Sequence, residues 1–269
     1  MSRRIVPQSV KRRLKLAGRA WADARSGTAR RFAKPAPLQR FPHTLCLAQP
    51  ILNATDEQSR VNKIHNIKVA AASIETVQIN PGQIFSFWHI VKAPSQKNNF
   101  RRGINIINDK VVEDFGGGLC QLSGIIYHVC LKAGLSILER TNHSVDLYHD
   151  QQRYTPLGAD CAVFYGYKDL RFRNDHPHPV RFSFQISDRE LVCRIESPEP
   201  LKEKAIIFQV LHDDESGSVV NTVGDGGTLA RSIYKKHPSE TSERPELSMP
   251  QLPTAPIESP SPAPVHPLN

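Results

Sequence analysis

A cysteine set behind three consecutive glycines is the feature of this sequence best suited to chemistry: Gly116-Gly117-Gly118-Leu119-Cys120-Gln121-Leu122-Ser123. Glycines tolerate positive φ and let other backbone come close, and a run of them at a helix entry forms a nest of amides. The apolar positions that follow, Leu122, Ile125, Ile126, Val129 and Ala133, predict a helix over 120–133 with Gly134 as its stop. Cys120 then falls at a helix N-terminus, where the dipole and the unpaired N–H groups favour a thiolate. The same donors, around Gly118 and Cys120 and with the Gln121 side chain, are placed to hold an oxyanion. Gly116, Gly117, Gly118, Gln121 and Ser123 are the candidate oxyanion- and substrate-binding residues.

A thiolate nucleophile needs a base, and the base needs an orienting acceptor. His143 follows Cys120 by 23 residues and Asp160 follows His143 by 17, which gives the chain order Cys–His–Asp. The candidate catalytic roles are Cys120 as nucleophile, His143 as general base and Asp160 as orienter. His128, His149 and Asp146 compete for the last two roles. Structural readings stand beside each: a buried cysteine at a tight helix entry, a satisfied histidine, an aspartate capping a turn. A phosphate-binding loop lacks both Gly-x-x-x-x-Gly-Lys-Ser/Thr and Gly-x-Gly-x-x-Gly. A metal site from Cys120, His143 and Cys161 lacks the short-spaced ligand pair usual for zinc. No metal and no cofactor are expected.

The elements that must position these residues can be read from periodicity. Val61, Ile64, Ile67, Ala71, Ile74 and Val77 keep helical spacing over 59–78, with Thr55 as the expected cap and Asn80-Pro81-Gly82-Gln83 as the break. A short strand is expected over 84–88, a polar loop over 92–103, and a hairpin of 104–107 with 110–112 around Asn108-Asp109. Strands are expected over 135–139, 160–165, 170–173, 180–186 and 190–196, and an added one over 205–211 before a turn at Asp225-Gly226-Gly227. Cys130 and Cys161 fall on apolar faces and read as core. The fold class is α+β, with two principal helices packed on a mostly antiparallel sheet.

Composition divides the chain in three. Residues 1–40 hold twelve Lys or Arg against one acid, Asp23, whereas the rest is nearly balanced, so the net charge of +9 belongs to an N-terminal arm. In that arm Val10, Leu14, Ala17, Trp21 and Ala24 recur at steps of three and four among Arg12, Arg13, Lys15, Arg19 and Arg25, the pattern of a basic amphipathic helix. It could contact an anionic membrane or nucleic acid, or pack one face on its own domain. Residues 41–236 form the expected domain, and 237–269, with nine prolines, an expected disordered tail. No stretch of 18 apolar residues and no apolar segment behind the basic start suggests a membrane span or export signal, so the expected address is the cytoplasm, with the arm peripheral to a membrane. Five cysteines, an odd count without a C-x-x-C pair, point to reduced thiols. The sequence does not specify an oligomeric state.

An ordered set of motifs adds a family resemblance. It runs from Asn62 to Ala72, through Asn80-Pro81-Gly82-Gln83-Ile84-Phe85-Ser86-Phe87 and Phe115-Gly116-Gly117-Gly118-Leu119-Cys120-Gln121-Leu122-Ser123, then Glu139-Arg140, His143-Ser144, Asp160 with Ala162-Val163, and Tyr165-Gly166. This resembles the VanW family over residues 55–196, a family named for an accessory protein of glycopeptide-resistance clusters. The Cys–His–Asp order is similar to that of papain- and transglutaminase-like thiol enzymes. Together they lead to an expectation of thiol-dependent acyl or amide hydrolysis or transfer on a peptide or peptidoglycan-derived substrate. The alternative is a non-catalytic module that binds a peptide or an anionic, cell-wall-related ligand.

Overall fold

The computed structural model describes residues 7–37, 39–51, 56–107, 110–146, 154–214 and 217–235. Thr55, the Asn108-Asp109 turn, His149 and the 237–269 tail lie outside the described residues. The architecture is mixed α and β with antiparallel sheets, as the α+β reading requires. Among the described residues the single sheet expected from the sequence is replaced by four separate ones: five strands, two sets of three, and a hairpin.

The five-stranded sheet has the order β1 (Lys34–Pro35), β3 (Val77–Ile79), β9 (Val180–Ile186), β10 (Glu190–Ser197), β2 (His43–Pro50). Leu191, Cys193 and Ile195 alternate inward on β10 and are fully buried, while the intervening residues face outward, the signature of a sheet covered on one side. That inner face meets two helices, α2 (Glu57–Glu75) and α4 (Leu119–Lys132). The Asp56 side chain caps α2 by accepting from the Ser59 N–H at 2.8 Å. The helix stops at Glu75, short of the expected 78, because Val77 and Ile79 are claimed by pairing with β1 and β9. Likewise the expected strand over 84–88 ends at Ser86 in β4 (Ile84–Ser86). The Ser86 hydroxyl then caps a short helix, α3 (Phe87–Val91).

The helix α4 is the centre of the core. Leu122, Ile125, Ile126, Val129 and Cys130 are fully buried, and so are Ser123 and Tyr127 on other faces. The single buried stripe of the sequence reading therefore understates it: α4 is enclosed nearly all round. Gly134 (φ 74°) ends it as expected, with the Leu135 N–H returning to the Cys130 carbonyl at 3.0 Å.

A second sheet, β4, β8 (Arg171–Arg173), β7 (Ser136–Glu139), borders α4, and a third is built from β11 (Ile207–Asp214), β12 (Gly217–Gly224) and β13 (Gly227–Tyr234). The expected strand over 160–165 is absent as a strand. Its backbone is taken up otherwise: the Cys161 carbonyl accepts from the Ser123 hydroxyl at 2.6 Å, the Asp160 carbonyl from Arg140 Nε at 2.8 Å, and the Ala162 N–H donates to the Thr141 carbonyl at 2.7 Å. With those groups satisfied, no ladder is needed. The arm forms α1 (Gln8–Arg25), laid along the outside of β7 and β8 by ion pairs.

The glycine run answers to packing. A Cβ on Gly117 would come within 2.9 Å of the Gly103 carbonyl carbon and the Ile104 oxygen in β5 (Arg102–Ile107), the strand paired with β6 (Lys110–Phe115). One on Gly118 (φ 96°) would strike Lys63 of α2 at 2.7 Å. Buried Asn66 fastens this crossing, donating from Nδ2 to the carbonyls of Arg101 and Gly117 at 3.0 and 3.1 Å and accepting from the Arg101 N–H at 2.8 Å. In contrast Gly124 has only ordinary contacts, the nearest at 3.5 Å. Gly117→Ala should therefore lose about 2 kcal/mol in urea denaturation through overpacking against backbone. Gly124→Ala, relieved of a helix-interior glycine, should be neutral or gain up to about 1 kcal/mol. Equal losses from the two would contradict this packing.

Candidate active site

The chain brings three distant segments to the start of α4. Gly118 caps the helix in the left-handed region, so Leu119 and Cys120 open its first turn. The helix's early N–H groups have no partner within the helix. Leu119 finds the Gly116 carbonyl at 3.3 Å, and Gln121 and Leu122 share the Gly118 carbonyl at 3.1 and 3.3 Å. Among the described residues no backbone carbonyl accepts from the Cys120 N–H. The Cys120 side chain is half-buried, its sulfur 3.7 Å from the Val163 carbonyl oxygen.

His143 and Asp160 join Cys120 here. The His143 ring is held by Asp160, with Nδ1 meeting Asp160 Oδ2 at 2.6 Å, and Cys120 lies close enough for the two side chains to shift each other's titration. Asp160 Oδ2 also accepts the His143 backbone N–H at 2.7 Å, which fixes the ring's base as well as its edge. Asp160 Oδ1 accepts from Tyr234 Oη at 2.6 Å and Arg140 Nη2 at 2.9 Å. Arg140 is itself held by the Gly158 carbonyl at 2.9 Å and the Ser232 hydroxyl at 2.6 Å, and its guanidinium lies 4.9 Å from the centre of the Tyr127 ring.

Electrostatics follow from these contacts. Burial pushes the Cys120 thiol up, but the hydrogen bond and charge of His143, with a backbone hydrogen bond at Val163, outweigh it and hold the thiol below its ordinary 9.0. Burial lowers His143, yet hydrogen bonds to Asp160 and Cys120 and their negative charge raise it to about 10. Burial raises Asp160, and His143, Arg140 and Tyr234 together bring it down to about 2. Each of the three shifts favours the charged form of its group. His143, raised from 6.5, contributes stability that is complete below pH 6.5 and lost as pH rises through about 10. Asp160, lowered from 3.8, contributes above that pH and loses it as pH falls through about 2.

The other candidates take different places. The Gln121 amide is buried and donates to the Pro50 carbonyl at 2.8 Å, so it is committed to β2. The Ser123 hydroxyl ties the Asp160–Val163 segment to α4 through Cys161. Gly116, Gly117 and Gly118 shape the helix entry. Cys130 and Cys161 are buried, as expected, and burial raises both thiols. Of the competitors, His128 packs edge-on against Phe208 at 5.3 Å, and burial lowers it to about 4. The Asp146 backbone N–H bonds the Lys235 carbonyl at 3.0 Å. Arg140 and Tyr234 carry site contacts without having been candidates. Arg140 stood in a recognised motif with no role, and Tyr234 is 74 residues from its partner. A cavity of about 580 Å³ opens behind Arg140, lined by Tyr127, Ile137, Asn142, Leu229 and Arg231, and Cys120 is not in its wall.

Residues 62–196 match the family described as "VanW like protein". The chain is 29% identical over 134 residues to the vancomycin B-type resistance protein VanW of Enterococcus faecalis, covering 50% of this chain and 49% of that protein. It is 30% identical over 122 residues to the uncharacterized protein YoaR of Bacillus subtilis, covering 45% and 39%. The chain thus spans half or less of the length of these relatives. No solved structure matches it.

The carboxylate's donors set the expected losses. Arg140→Met leaves Asp160 without its buried cation and should cost about 3 kcal/mol in urea denaturation. Tyr234→Phe removes one charge-assisted bond and should cost about 1.5–3 kcal/mol. A loss below about 0.5 kcal/mol for both would show that the carboxylate does not depend on them.

Proposed function

The chain belongs to the VanW family, and from that premise we propose that it performs thiol-dependent acyl or amide chemistry, as hydrolysis or transfer. The observation that supports this reading is the bond of the His143 ring to Asp160 with Cys120 beside the same ring. It supplies a nucleophile at a helix start, a base against it and a fixed acceptor behind the base. The Cys–His–Asp order is similar to that of papain- and transglutaminase-like enzymes.

In the proposed reaction the Cys120 thiolate attacks the carbonyl carbon of an amide or ester, forming a C–S bond while the carbonyl electron pair moves onto oxygen. The Cys120 N–H, with the positive end of α4 behind it, stabilises that oxyanion. The oxyanion collapses, the bond to the leaving group breaks, and His143 gives that group its proton. Water, or an acceptor amine, then loses a proton to His143 and attacks the thioester, which releases the acyl product and the Cys120 thiolate. Asp160 keeps Nδ1 protonated throughout, so Nε2 is the nitrogen that exchanges the proton. The enterococcal relative's name ties that protein to vancomycin resistance, which favours a peptide or peptidoglycan-derived fragment as substrate class here.

Alkylation by iodoacetamide separates this from a binding module. Cys120 should label well below pH 8, ahead of exposed Cys46 and far ahead of buried Cys130, Cys161 and Cys193. His143→Ala should move the Cys120 midpoint up in pH, because the removed contacts are those that lower it. With p-nitrophenyl acetate, the wild-type chain should release p-nitrophenolate in a burst and carry one acetyl group on Cys120, and Cys120→Ala should do neither. Slow, uniform labelling with no acetyl adduct would sink the enzyme reading.

A further inference from the structure

The helix α1 presents two opposed faces. Its half-buried residues are Leu16, Arg19 and Asp23, spaced three and four apart, and these fasten it to the body. Arg19 forms a two-point ion pair with Glu139 of β7 at 3.0 and 2.7 Å, and Arg171 of β8 does the same with Asp23 at 2.7 and 2.9 Å. Leu16 and Arg12 border Gly166. Five apolar residues of the helix, Val10, Leu14, Ala17, Trp21 and Ala24, form a separate stripe, turned about 150° around the axis at 100° per residue, while Leu16 lies on the docked face. All five are exposed, Leu14 and Trp21 to 66% each. This arrangement inverts the usual one, in which a surface helix buries its apolar stripe and docks through it.

Charge identifies what the stripe is shaped for. Lys11, Arg13 and Arg25 flank it and are exposed, and the Arg25 guanidinium lies 5.6 Å from the Trp21 ring centre. The sole acid of the first forty residues, Asp23, is neutralised on the docked side by Arg171. An apolar row with Trp, edged by cations and free of anions, matches a bilayer interface: the apolar residues enter the acyl boundary and the cations meet lipid headgroups. Nucleic acid would use the cations alone and leave Leu14 and Trp21 without purpose.

We propose that α1 seats the protein on an anionic phospholipid surface through Val10, Leu14, Ala17, Trp21 and Ala24, with the ion pairs of Arg19 and Asp23 holding the folded body to the seated helix. The helix is long enough to lie in the interface, and no helix among the described residues is long and apolar enough to cross a membrane.

Flotation of the full chain with vesicles tests this. The protein should float with phosphatidylcholine vesicles containing about 30% phosphatidylglycerol and about tenfold or more less with pure phosphatidylcholine. Leu14→Ser/Trp21→Ser, with an unchanged circular dichroism spectrum, should weaken binding to the anionic vesicles about tenfold or more, because apolar insertion is lost while every charge remains. Absence of flotation on the anionic vesicles would overturn the proposal. So would undiminished flotation of the double variant, or binding of a short DNA duplex that exceeds vesicle binding and ignores the same substitutions. Wild-type dimers that dissociate in the double variant, with no vesicle binding, would reassign the stripe to a second copy of this chain.

Discussion

The carboxylate of Asp160 is the interaction on which the arrangement depends. A buried anion left unpaired would be costly enough to protonate, and this one receives four donors: Tyr234 Oη, Arg140 Nη2, and both the backbone N–H and ring Nδ1 of His143. These donors come from β7's end, the segment after it, and β13, so a single carboxylate ties three parts of the chain together. The tie also sets the electrostatics: Asp160 fixes Nδ1, and its charge helps to keep His143 protonated.

The position of Cys120 is a matter of packing. Cys120 stands where it does because α4 is enclosed by the five-stranded sheet, α2 and β7, and because Gly117 and Gly118 let its entry pass between β5 and α2. Ser123, one turn along, holds the segment that carries Asp160. The glycines thus admit the backbone crossing that leaves Cys120 at a helix start.

Much of this was legible in the sequence, and the exceptions have physical reasons. The helix α4 and its glycine stop, the helix α2, the β9–β10 hairpin and the arm helix all follow from periodicity and turn residues. The conjunction of Cys120, His143 and Asp160 followed from chain order and from what each residue type can do. Tyr234 was illegible because its partner is reached only through a sheet folded back from beyond the 62–196 family match. The 160–165 segment has strand composition but spends its backbone groups on Ser123, Arg140 and Thr141. Gln121 looked poised for an oxyanion from spacing alone, yet a buried amide needs a partner, and Pro50 is the one it has. For α1 the periodicity gave the helix, whereas the face that docks was set by Arg19 and Asp23, whose partners lie over a hundred residues away.

At the centre of the site stands a Cys120–His143 pair oriented by the buried Asp160 carboxylate. Nitrogen-15 NMR of the His143 ring, followed from pH 5 to 9, measures it directly. Both ring nitrogens should stay protonated across that range, with Nδ1–H far downfield in its bond to Asp160, and Cys120→Ala should bring the titration down in pH by removing the negative partner. A His143 ring that titrates near 6.5, with no response to Cys120→Ala, would mean that neither Asp160 nor Cys120 holds its charge.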